Sequence, residues 1–382
     1  MKPVVAHVIT GLKTGGAEMM LARLLERHEQ SRFRPVVYCL TDNGPVADRI
    51  RSLGVPVHAL GMRRGIPDPF TVLRLARALR RERAVAVQTW LYHADLIGGL
   101  AGRLAGIPVA WGVHNSRLRG NAAGTGLRAV IWLCARISRW APTCIVCVAE
   151  SSRTAHAEIG YPVRKMHVIP NGFDLAQFRP NPEARQRTRV ELQIGPKDPV
   201  VMIAGRFVPL KNHRLFVEAA GIVADRVPSA HFVMAGDGLD EANAELTGWI
   251  AGTGHHSRFR LLGRRSDMAD LLAATDVVAL TSNTEAFPLV IGEAMATGVP
   301  CVSTDVGDAR SLISDTGRVV PMGDTLGFAT GLLELIELPE DRRRALGCAA
   351  RIRMEAEFDL GRIAARYDAL WQSLAAGERP CG

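Results

Sequence analysis

The sequence predicts an α/β protein made of two Rossmann-like domains, each built on a mostly parallel sheet. Its 382 residues are more than a single hydrophobic core usually serves, so two domains are expected. In the first half, short apolar strand candidates alternate with helical stretches, and the same alternation starts again at PVVMIAG. Such alternation indicates βαβ units whose strands lie parallel in one sheet.

Each strand candidate is a short run of apolar and β-branched residues, which is typical of a buried parallel strand. The first half contains VVAHVI, VVYCL, VPVHAL, AVAVQTW, IPVAWGV and CIVCVA, and the second half contains PVVMIAG, HFVMAG, FRLLG, DVVALT, PCVST and RVVP. Between the two sets, IPNGFDLAQFRPNPEAR is rich in proline and asparagine, which predicts a linker. We therefore place one domain at residues 1–176 and the other at 177–357.

The composition excludes the membrane-spanning and disulfide-rich classes. No apolar run reaches the about eighteen residues that a membrane span needs, because Arg136 and Arg139 interrupt the longest one. The opening MKPVVAHVIT predicts a first strand rather than a signal peptide. The seven cysteines form no regular framework, which indicates reduced thiols and a cytoplasmic protein. Cys144 and Cys147 are expected on opposite faces of a buried strand.

The charge is distributed unevenly along the chain. Residues 1–178 contain 24 Lys and Arg against 11 Asp and Glu, a net +13, whereas residues 179–382 contain 23 against 27, a net −4. A basic first half indicates an anionic partner. Nucleic acid is not expected, because no motif for it is present and aromatic residues are sparse. An anionic membrane surface, such as the inner face of the plasma membrane, or a lipid diphosphate acceptor fits the charge better.

The stretch LRAVIWLCARISRW is the best candidate for a membrane contact, since it places Arg128, Arg136 and Arg139 among bulky apolar residues. This composition is typical of an interfacial amphipathic helix, although a core-facing helix with a solvated arginine face has the same pattern. Both interpretations stay open. The arginines that would extend this basic surface are Arg63, Arg64, Arg80, Arg81, Arg83, Arg117 and Arg119.

Two motifs in the second half contain the residues best suited to chemistry. In GRFVPLKNH, Arg206 follows the glycine that ends a strand, and Lys211 is expected to open the next helix. A guanidinium can bind two phosphate oxygens at once, and an ammonium acts as a point charge, so the pair suits a diphosphate. On its own, the pair is equally typical of a solvated helix start.

The second motif, SNTEAFPLVIGEAMATGVP, contains Glu285 and Glu293 after the strand DVVALT. Glu285 is expected in the strand-to-helix turn at the carboxyl edge of the sheet, where open α/β folds bind ligands. Pro288 is expected at the first helical position, and the amides around Phe287, Pro288 and Leu289 predict a phosphate-binding helix N-terminus. Because carboxylates accept hydrogen bonds from sugar hydroxyls, the two motifs together indicate nucleotide-sugar chemistry.

Several residues of the first half are candidates with a plain structural alternative. Gly15 and Gly16 lie between the first strand and the first helix, where glycines allow a phosphate close to the backbone, but a tight turn needs them as well. His114 follows the strand IPVAWGV and is either a site residue or a satisfied loop histidine. The other candidates, most of which also suit a helix start or cap, are Glu18, His93, Asp95, Glu150 and Ser151. A cap is favoured for Glu150 and Ser151.

Taken in order, GLKTGGAE, WGVHNS, VIPNGFD, GRFVPLKNH, AGDG and the paired glutamates resemble family 4 glycosyltransferases, which are retaining, nucleotide-sugar-dependent enzymes of the GT-B fold. The resemblance covers nearly the whole chain. It implies two Rossmann-like domains that face across a cleft, with a last helix at about 358–376 crossing back to the first domain. The apolar residues that would dock this helix are Phe358, Leu360, Ile363, Tyr367, Leu370 and Trp371.

The resemblance also implies a role for each motif. Arg206 and Lys211 neutralise the departing diphosphate, Glu285 binds the hydroxyls of the transferred sugar, and Glu293 binds the ribose. His114 lines the reaction centre and completes the implied catalytic set. The other residues implied to bind the donor lie in loops and at a helix start: Gly15, Gly16, Gly236, Asp237, Gly238, Phe287, Pro288 and Leu289.

We therefore expect a glycosyltransferase that moves a sugar, with retention, from a nucleotide diphosphate sugar to a hydroxyl of a lipid-linked or polysaccharide-precursor glycan. UDP-sugars are the first expectation for the donor and GDP-mannose the second. No Asp-x-Asp element precedes a plausible metal site, so neither a cofactor nor an essential metal is expected. Two alternatives stay open: a nucleotide-sugar epimerase or hydrolase of the same fold, and a GT-B protein that binds nucleotide without catalysis.

Overall fold

The computed structural model describes residues 2–13, 15–29, 31–41, 43–62, 68–116 and 125–378. It divides the chain into two compact units, Met1–Gly172 with Leu360–Gly382, and Phe173–Asp359. Each unit contains one parallel sheet with packed helices, so the predicted α/β class is confirmed. The chain passes between the units after Gly172 and again after Asp359, rather than at the predicted residues 176 and 357.

The sheet of the first unit has seven strands: β1 (Val4–Ile9), β2 (Arg34–Cys39), β3 (Val57–Ala59), β4 (Ala84–Trp90), β5 (Val109–Val113), β6 (Cys144–Cys147) and β7 (Met166–Val168). They lie in the order β3-β2-β1-β4-β5-β6-β7 and pair in parallel. Because side chains alternate along a strand, Val8 of β1 enters one core while Val5 and Ile9 enter the other.

The helices of the first unit are α1 (Gly16–Leu25), α2 (Pro45–Ser52), α3 (Pro69–Arg81), α4 (Tyr92–Ala105), α5 (Thr125–Ile137), α6 (Glu150–Glu158) and α15 (Leu360–Ala375). Helices α3, α4 and α5 pack into the core that contains Val8, and α1, α2 and α15 pack into the core on the other face of the sheet. Cys144 and Cys147 enter different cores as free, buried thiols, as predicted, and burial raises the pKa of each to about 12.

The sheet of the second unit has six strands: β8 (Val200–Ala204), β9 (His231–Ala235), β10 (Phe259–Leu261), β11 (Val277–Leu280), β12 (Cys301–Thr304) and β13 (Arg318–Val320). They lie in the order β10-β9-β8-β11-β12-β13 and pair in parallel. Its helices are α7 (Pro182–Glu191), α8 (His213–Arg226), α9 (Ala244–Gly252), α10 (Met268–Ala274), α11 (Leu289–Ala296), α12 (Ala309–Ile313), α13 (Thr325–Ile336) and α14 (Glu340–Arg353).

Both sheets have the strand order of a doubly wound fold, in which the chain starts near the middle and reverses direction once. The reversal falls between β1 and β4 in the first unit and between β8 and β11 in the second. At such a switch point the loops after the two neighbouring strands diverge, which leaves a crevice for ligands at the carboxyl ends of the strands. The fold therefore specifies one candidate ligand-binding edge in each unit.

Local sequence patterns were sufficient to predict most of the strands. All twelve predicted strands are present, whereas β7 was not predicted, because its three residues adjoin the proline-rich segment. That segment is also less of a linker than expected: Phe173 is fully buried, and Arg185 of α7 pairs with Asp276 at 2.7 Å. The last helix, α15, belongs to the first unit, where Tyr367 and Trp371 are buried.

The buried carboxyl group of Asp95 links three elements of the first unit. Asp95 lies in the first turn of α4, and its Oδ1 accepts hydrogen bonds from Thr89 Oγ1 of β4 at 2.5 Å and from the Gly112 amide of β5 at 3.2 Å. The residue that precedes α4 is Leu91, so Asp95 does not cap the helix, which was one of the two alternatives left open for it. Burial raises the pKa of Asp95 to about 8, despite both hydrogen bonds.

We predict that Asp95 makes the protein less stable as the pH rises from about 4 to 8. Because the pKa is raised in the folded protein, the unfolded chain releases this proton first, and stability falls by up to about 1.4 kcal/mol per pH unit. Asp95→Asn should remove this contribution, so the melting temperature of the variant relative to wild type should increase from pH 5 to pH 8. A difference in melting temperature between variant and wild type that stays constant from pH 5 to pH 8 would contradict this assignment.

Candidate functional site

The loop after β8 contains the two predicted cations. Arg206 is exposed, and Lys211 ends a short 3₁₀ turn, Pro209–Lys211, instead of opening α8 as predicted. Between this turn and the helix, Asn212 has a left-handed backbone with φ of 48°, a conformation that asparagine tolerates better than most residues. The sharp turn at Asn212 keeps Lys211 out of α8 and brings its side chain over the backbone of Gly205.

The loop after β11 contains Glu285. Helix α11 begins at Leu289 with Pro288 as its N-cap, so Pro288 lies one residue before its predicted position. The Phe287 ring is buried against Phe173 and Phe358, which fixes the start of the helix. A side chain at position 307 would meet the Glu285 carbonyl oxygen at 2.5 Å, so a glycine is required where the next loop passes behind Glu285.

These two loops meet at the switch point through an ion pair. Lys211 Nζ donates to Glu285 Oε1 at 2.5 Å, and the same oxygen accepts a hydrogen bond from Ser282 Oγ at 2.8 Å. The backbones are joined as well, since the Asn283 amide donates to the Leu210 carbonyl at 2.8 Å and Thr281 Oγ1 donates to the Lys211 carbonyl at 2.9 Å. The structure therefore brings together two of the predicted residues, 74 positions apart in the chain.

The remaining predicted residues of the second unit lie on α11 and in the loop after β9. Glu293 is on α11, with 9% of its surface exposed. Gly236 follows β9 and packs on Gly205, because a side chain at 236 would collide with the Gly205 carbonyl. The Asp237 carbonyl accepts a hydrogen bond from the Phe207 amide at 2.8 Å, while the residue itself is exposed. The loops after β8 and β9 thus form one continuous edge beside β11.

In the first unit, the loop after β1 leads directly into α1. Gly15 is the N-cap of the helix and Gly16 is its first residue. A side chain at position 15 would collide with the Glu18 carboxylate, which shows that this carboxylate folds back over the helix start. Such a position is favourable for a negative charge at a helix N-terminus. Glu18 therefore lies at the helix start, as the sequence allowed.

His114 follows β5 and stacks on the buried Trp90, with ring centroids 5.1 Å apart and an interplanar angle of 25°. Burial lowers the pKa of His114 to about 4, so its imidazole is neutral near pH 7. Trp90 Nε1 in turn donates to Nδ1 of the buried His7 at 3.3 Å. The ring of His7 packs edge-on against Trp371 of α15. His114 is thus held by an aromatic cluster below the carboxyl edge of the sheet.

The other first-half candidates either make contacts that suit a structural role or lie outside the described residues. Burial lowers the pKa of His93, which lies in the first turn of α4. The N-cap of α6 is Ala149, so the capping roles favoured for Glu150 and Ser151 are wrong; Glu150 instead pairs with Arg153 at 2.6 Å. The candidates outside the described residues are Arg63, Arg64, Arg117 and Arg119.

The outer face of α5 and the turn that follows it carry arginines beside exposed aromatic and apolar groups. Trp132, Leu133 and Trp140 have 54%, 38% and 49% of their surfaces exposed, and the Arg136 guanidinium lies 4.7 Å from the centre of the Trp132 ring. The opposite face packs into the core through Val130. No helix among the described residues is long and apolar enough to span a bilayer.

The hydroxyl groups that hold the ion pair in place were not predicted from the sequence. Ser282, Thr281 and Thr304 are fully buried, and Thr304 Oγ1 donates to the Ser282 carbonyl at 2.7 Å. Their signal in the sequence is weak, because polar residues at strand ends are common. Also unpredicted is Leu91, whose φ of 74° and ψ of 157° are rare outside glycine and often occur at functional sites.

Two family models match successive parts of the chain. Residues 14–177 match the model described as Glycosyltransferase Family 4, and residues 198–338 match the model described as Glycosyl transferases group 1. The two matches fall on the first and the second unit of the fold, respectively. The second match contains Arg206, Lys211, Glu285 and Glu293.

Similar proteins are known as sequences and as structures. The chain is 26% identical over 342 residues to the Escherichia coli UDP-Gal:alpha-D-GlcNAc-diphosphoundecaprenol alpha-1,3-galactosyltransferase, covering 87% of this chain and 88% of the relative. It is 28% identical to the alpha-D-kanosaminyltransferase of Streptomyces kanamyceticus, covering 73% and 75%. The crystal structure of Anabaena Alr3699/HepE with UDP-glucose superposes with a TM-score of 0.82 at 23% identity, covering 97% of this chain and 99% of that one.

The structural likeness supports the GT-B fold, and the two family models support the predicted resemblance over most of the chain. The Lys211–Glu285 contact lies at the switch point of the second unit, in the part that matches the group 1 model. The chain belongs to the family 4 glycosyltransferases of the GT-B fold.

Proposed function

We propose that the protein transfers a sugar from a nucleoside diphosphate sugar to an acceptor hydroxyl with retention of configuration, and that UDP-sugars are preferred over GDP-mannose. The observation that carries this proposal is the junction of the loops after β8 and β11, where Lys211 meets Glu285; Arg206 lies on the same loop as Lys211. Support for UDP comes from the Anabaena neighbour, whose structure contains UDP-glucose, and from the E. coli relative, whose name specifies UDP-Gal.

The chemical demand of this reaction is the negative charge that develops on the departing diphosphate. Lys211 and Arg206 are positioned on the loop that ends at the switch point, and both carry positive charges suited to phosphate oxygens. Because two side chains supply this charge, we propose that no essential metal is required, which activity in EDTA would test. Retention then proceeds on the front face of the sugar, with the leaving phosphate as the base.

The other site residues would bind the two ends of the donor and the acceptor. Glu285 faces the transferred sugar, and Glu293, deeper in α11, binds the ribose hydroxyls; carboxylates are suited to both tasks because they accept hydrogen bonds only. The loop of Gly236 contributes backbone groups near the donor. His114, neutral and oriented by Trp90, is suited to a hydrogen bond with a sugar hydroxyl.

We propose that the acceptor is a lipid-linked glycan and that the first unit contacts an anionic bilayer from the cytoplasmic side. The name of the E. coli relative specifies a diphosphoundecaprenol acceptor. Helix α5 and the turn after it present Arg128, Arg136 and Arg139 beside exposed tryptophans. Helix α3, which packs into the same core, exposes Phe70 at 71% beside its own arginines. Basic residues with aromatic neighbours are typical of interfacial helices.

We predict that Lys211→Ala and Arg206→Ala each reduce kcat by about 100- to 1,000-fold, because each removes a charge that stabilises the leaving group. The measurement is transfer from a saturating UDP-sugar to a lipid-linked acceptor, with circular dichroism to check the fold. Arg226→Ala, which removes an exposed ion pair with Glu337, is the matched control and should keep full activity. Wild-type rates in either site variant would contradict the proposal, and free sugar as the main product would indicate a hydrolase.

Substitutions of the two glutamates should change different kinetic constants. Glu285→Gln should mainly lower kcat, since it faces the reacting sugar, whereas Glu293→Gln should mainly raise the KM for the donor, since it holds the ribose. Both substitutions are nearly isosteric, so the fold should be retained. A titration of the donor with each variant gives both constants. The reverse pattern would show that the two carboxylates are assigned to the wrong ends of the donor.

Membrane contact should depend on α5 and on salt. Vesicles containing phosphatidylglycerol should bind the protein in flotation assays, whereas neutral phosphatidylcholine vesicles should not, because each basic residue near an anionic surface contributes about 1 kcal/mol. Changing Arg128, Arg136 and Arg139 to Ser should abolish flotation, as should high salt, which shortens the Debye length. The control changes three exposed arginines of the second unit to Ser: Arg214, Arg226 and Arg344. Equal flotation on both vesicle types would contradict the proposal.

A further inference from the structure

The ion pair at the switch point joins two side chains that are assigned to different parts of the donor. Lys211 Nζ and Glu285 Oε1 are 2.5 Å apart, with side-chain exposures of 29% and 17%. In this arrangement the charge of Lys211 is already neutralised, and the carboxylate beside it has the same sign as a diphosphate. An incoming diphosphate therefore meets a competitor for Lys211 as well as a like charge.

A second contact holds Glu285 without the help of Lys211. Ser282 Oγ donates to Glu285 Oε1 at 2.8 Å, and Ser282 is fully buried. The backbone of Ser282 is fixed in turn, because its carbonyl accepts the Thr304 hydroxyl of β12 at 2.7 Å. The carboxylate can therefore lose its contact with Lys211 and still keep its position in the loop.

We propose that donor binding exchanges the partner of Lys211. The ammonium group passes from Glu285 to the diphosphate, while Ser282 keeps Glu285 in place to accept hydrogen bonds from the transferred sugar. After transfer, Glu285 competes with the nucleoside diphosphate for Lys211 and so promotes release of the product. Ser282 is then a positioning residue for Glu285. This inference rests on the proposed function, since it needs a diphosphate at Lys211.

The exchange predicts an unusual result for a carboxylate in a binding site: its neutralisation should tighten product binding. We would measure the Kd of UDP by calorimetry with the full chain. Glu285→Gln should bind UDP about 3- to 10-fold more tightly than wild type, because Lys211 no longer has a charged competitor. Glu337→Gln makes the same change of net charge at an exposed ion pair and should leave the Kd within about twofold.

A double-mutant cycle separates the release of Lys211 from the simple loss of a nearby negative charge. Lys211→Met should weaken UDP binding more in the Glu285→Gln background than in wild type, because wild type must first break the ion pair. Equal losses of UDP affinity in the two backgrounds would overturn the proposal. An ion pair that stays intact on binding contributes the same energy to the free and the bound protein, so it cannot oppose binding. Unchanged or weaker UDP binding by Glu285→Gln would overturn it as well.

The role of Ser282 has its own test. Ser282→Ala should lower kcat while leaving the Kd of UDP within about twofold of wild type, because UDP lacks the sugar that Glu285 contacts. An unchanged kcat would overturn the positioning role. If wild type binds none of UDP, GDP and ADP, the proposed function itself fails, and this outcome is seen before any variant is compared.

Discussion

The contact between Lys211 and Glu285 is the interaction on which the site in the second unit depends. It forms because β8 and β11 are neighbours only where the strand order reverses, so the loops after them meet although they are far apart in sequence. Buried hydroxyl groups of Thr281 and Thr304 hold the backbones of both loops. The two charges are thus brought together by the sheet topology, and these hydrogen bonds fix the loops that carry them.

The first unit has the same type of fold but carries different chemical groups at its switch point. Its switch-point edge carries backbone groups from Gly15 and Gly16 and the imidazole of His114. Burial against Trp90 keeps His114 neutral near pH 7. A neutral imidazole can donate one hydrogen bond and accept another, which suits a hydroxyl better than a phosphate. The two units therefore offer chemically different edges.

Local patterns were enough to predict the strands and the residues at their carboxyl ends, because a buried parallel strand needs an uninterrupted apolar run. They were not enough for contacts between distant segments. Nothing near Asp95 in sequence reveals that its carboxyl group is buried against Thr89 and Gly112, so it resembles a helix cap. Likewise, Lys211 resembles a helix start until the left-handed backbone of Asn212 is known. Ser282 gives no signal either, since its hydrogen bond with Thr304 joins segments that are distant in sequence.

We propose that the diphosphate of a UDP-sugar binds at the loop after β8, beside Glu285. The most direct measurement is a crystal structure of the protein with UDP-glucose, compared with one of the unliganded protein. We expect phosphate oxygens within hydrogen-bond distance of Lys211 Nζ and the Arg206 guanidinium, and the ribose at Glu293. We also expect a longer distance from Lys211 to Glu285 than in the unliganded protein. A diphosphate bound elsewhere, or bound with the Lys211–Glu285 contact unchanged, would contradict it.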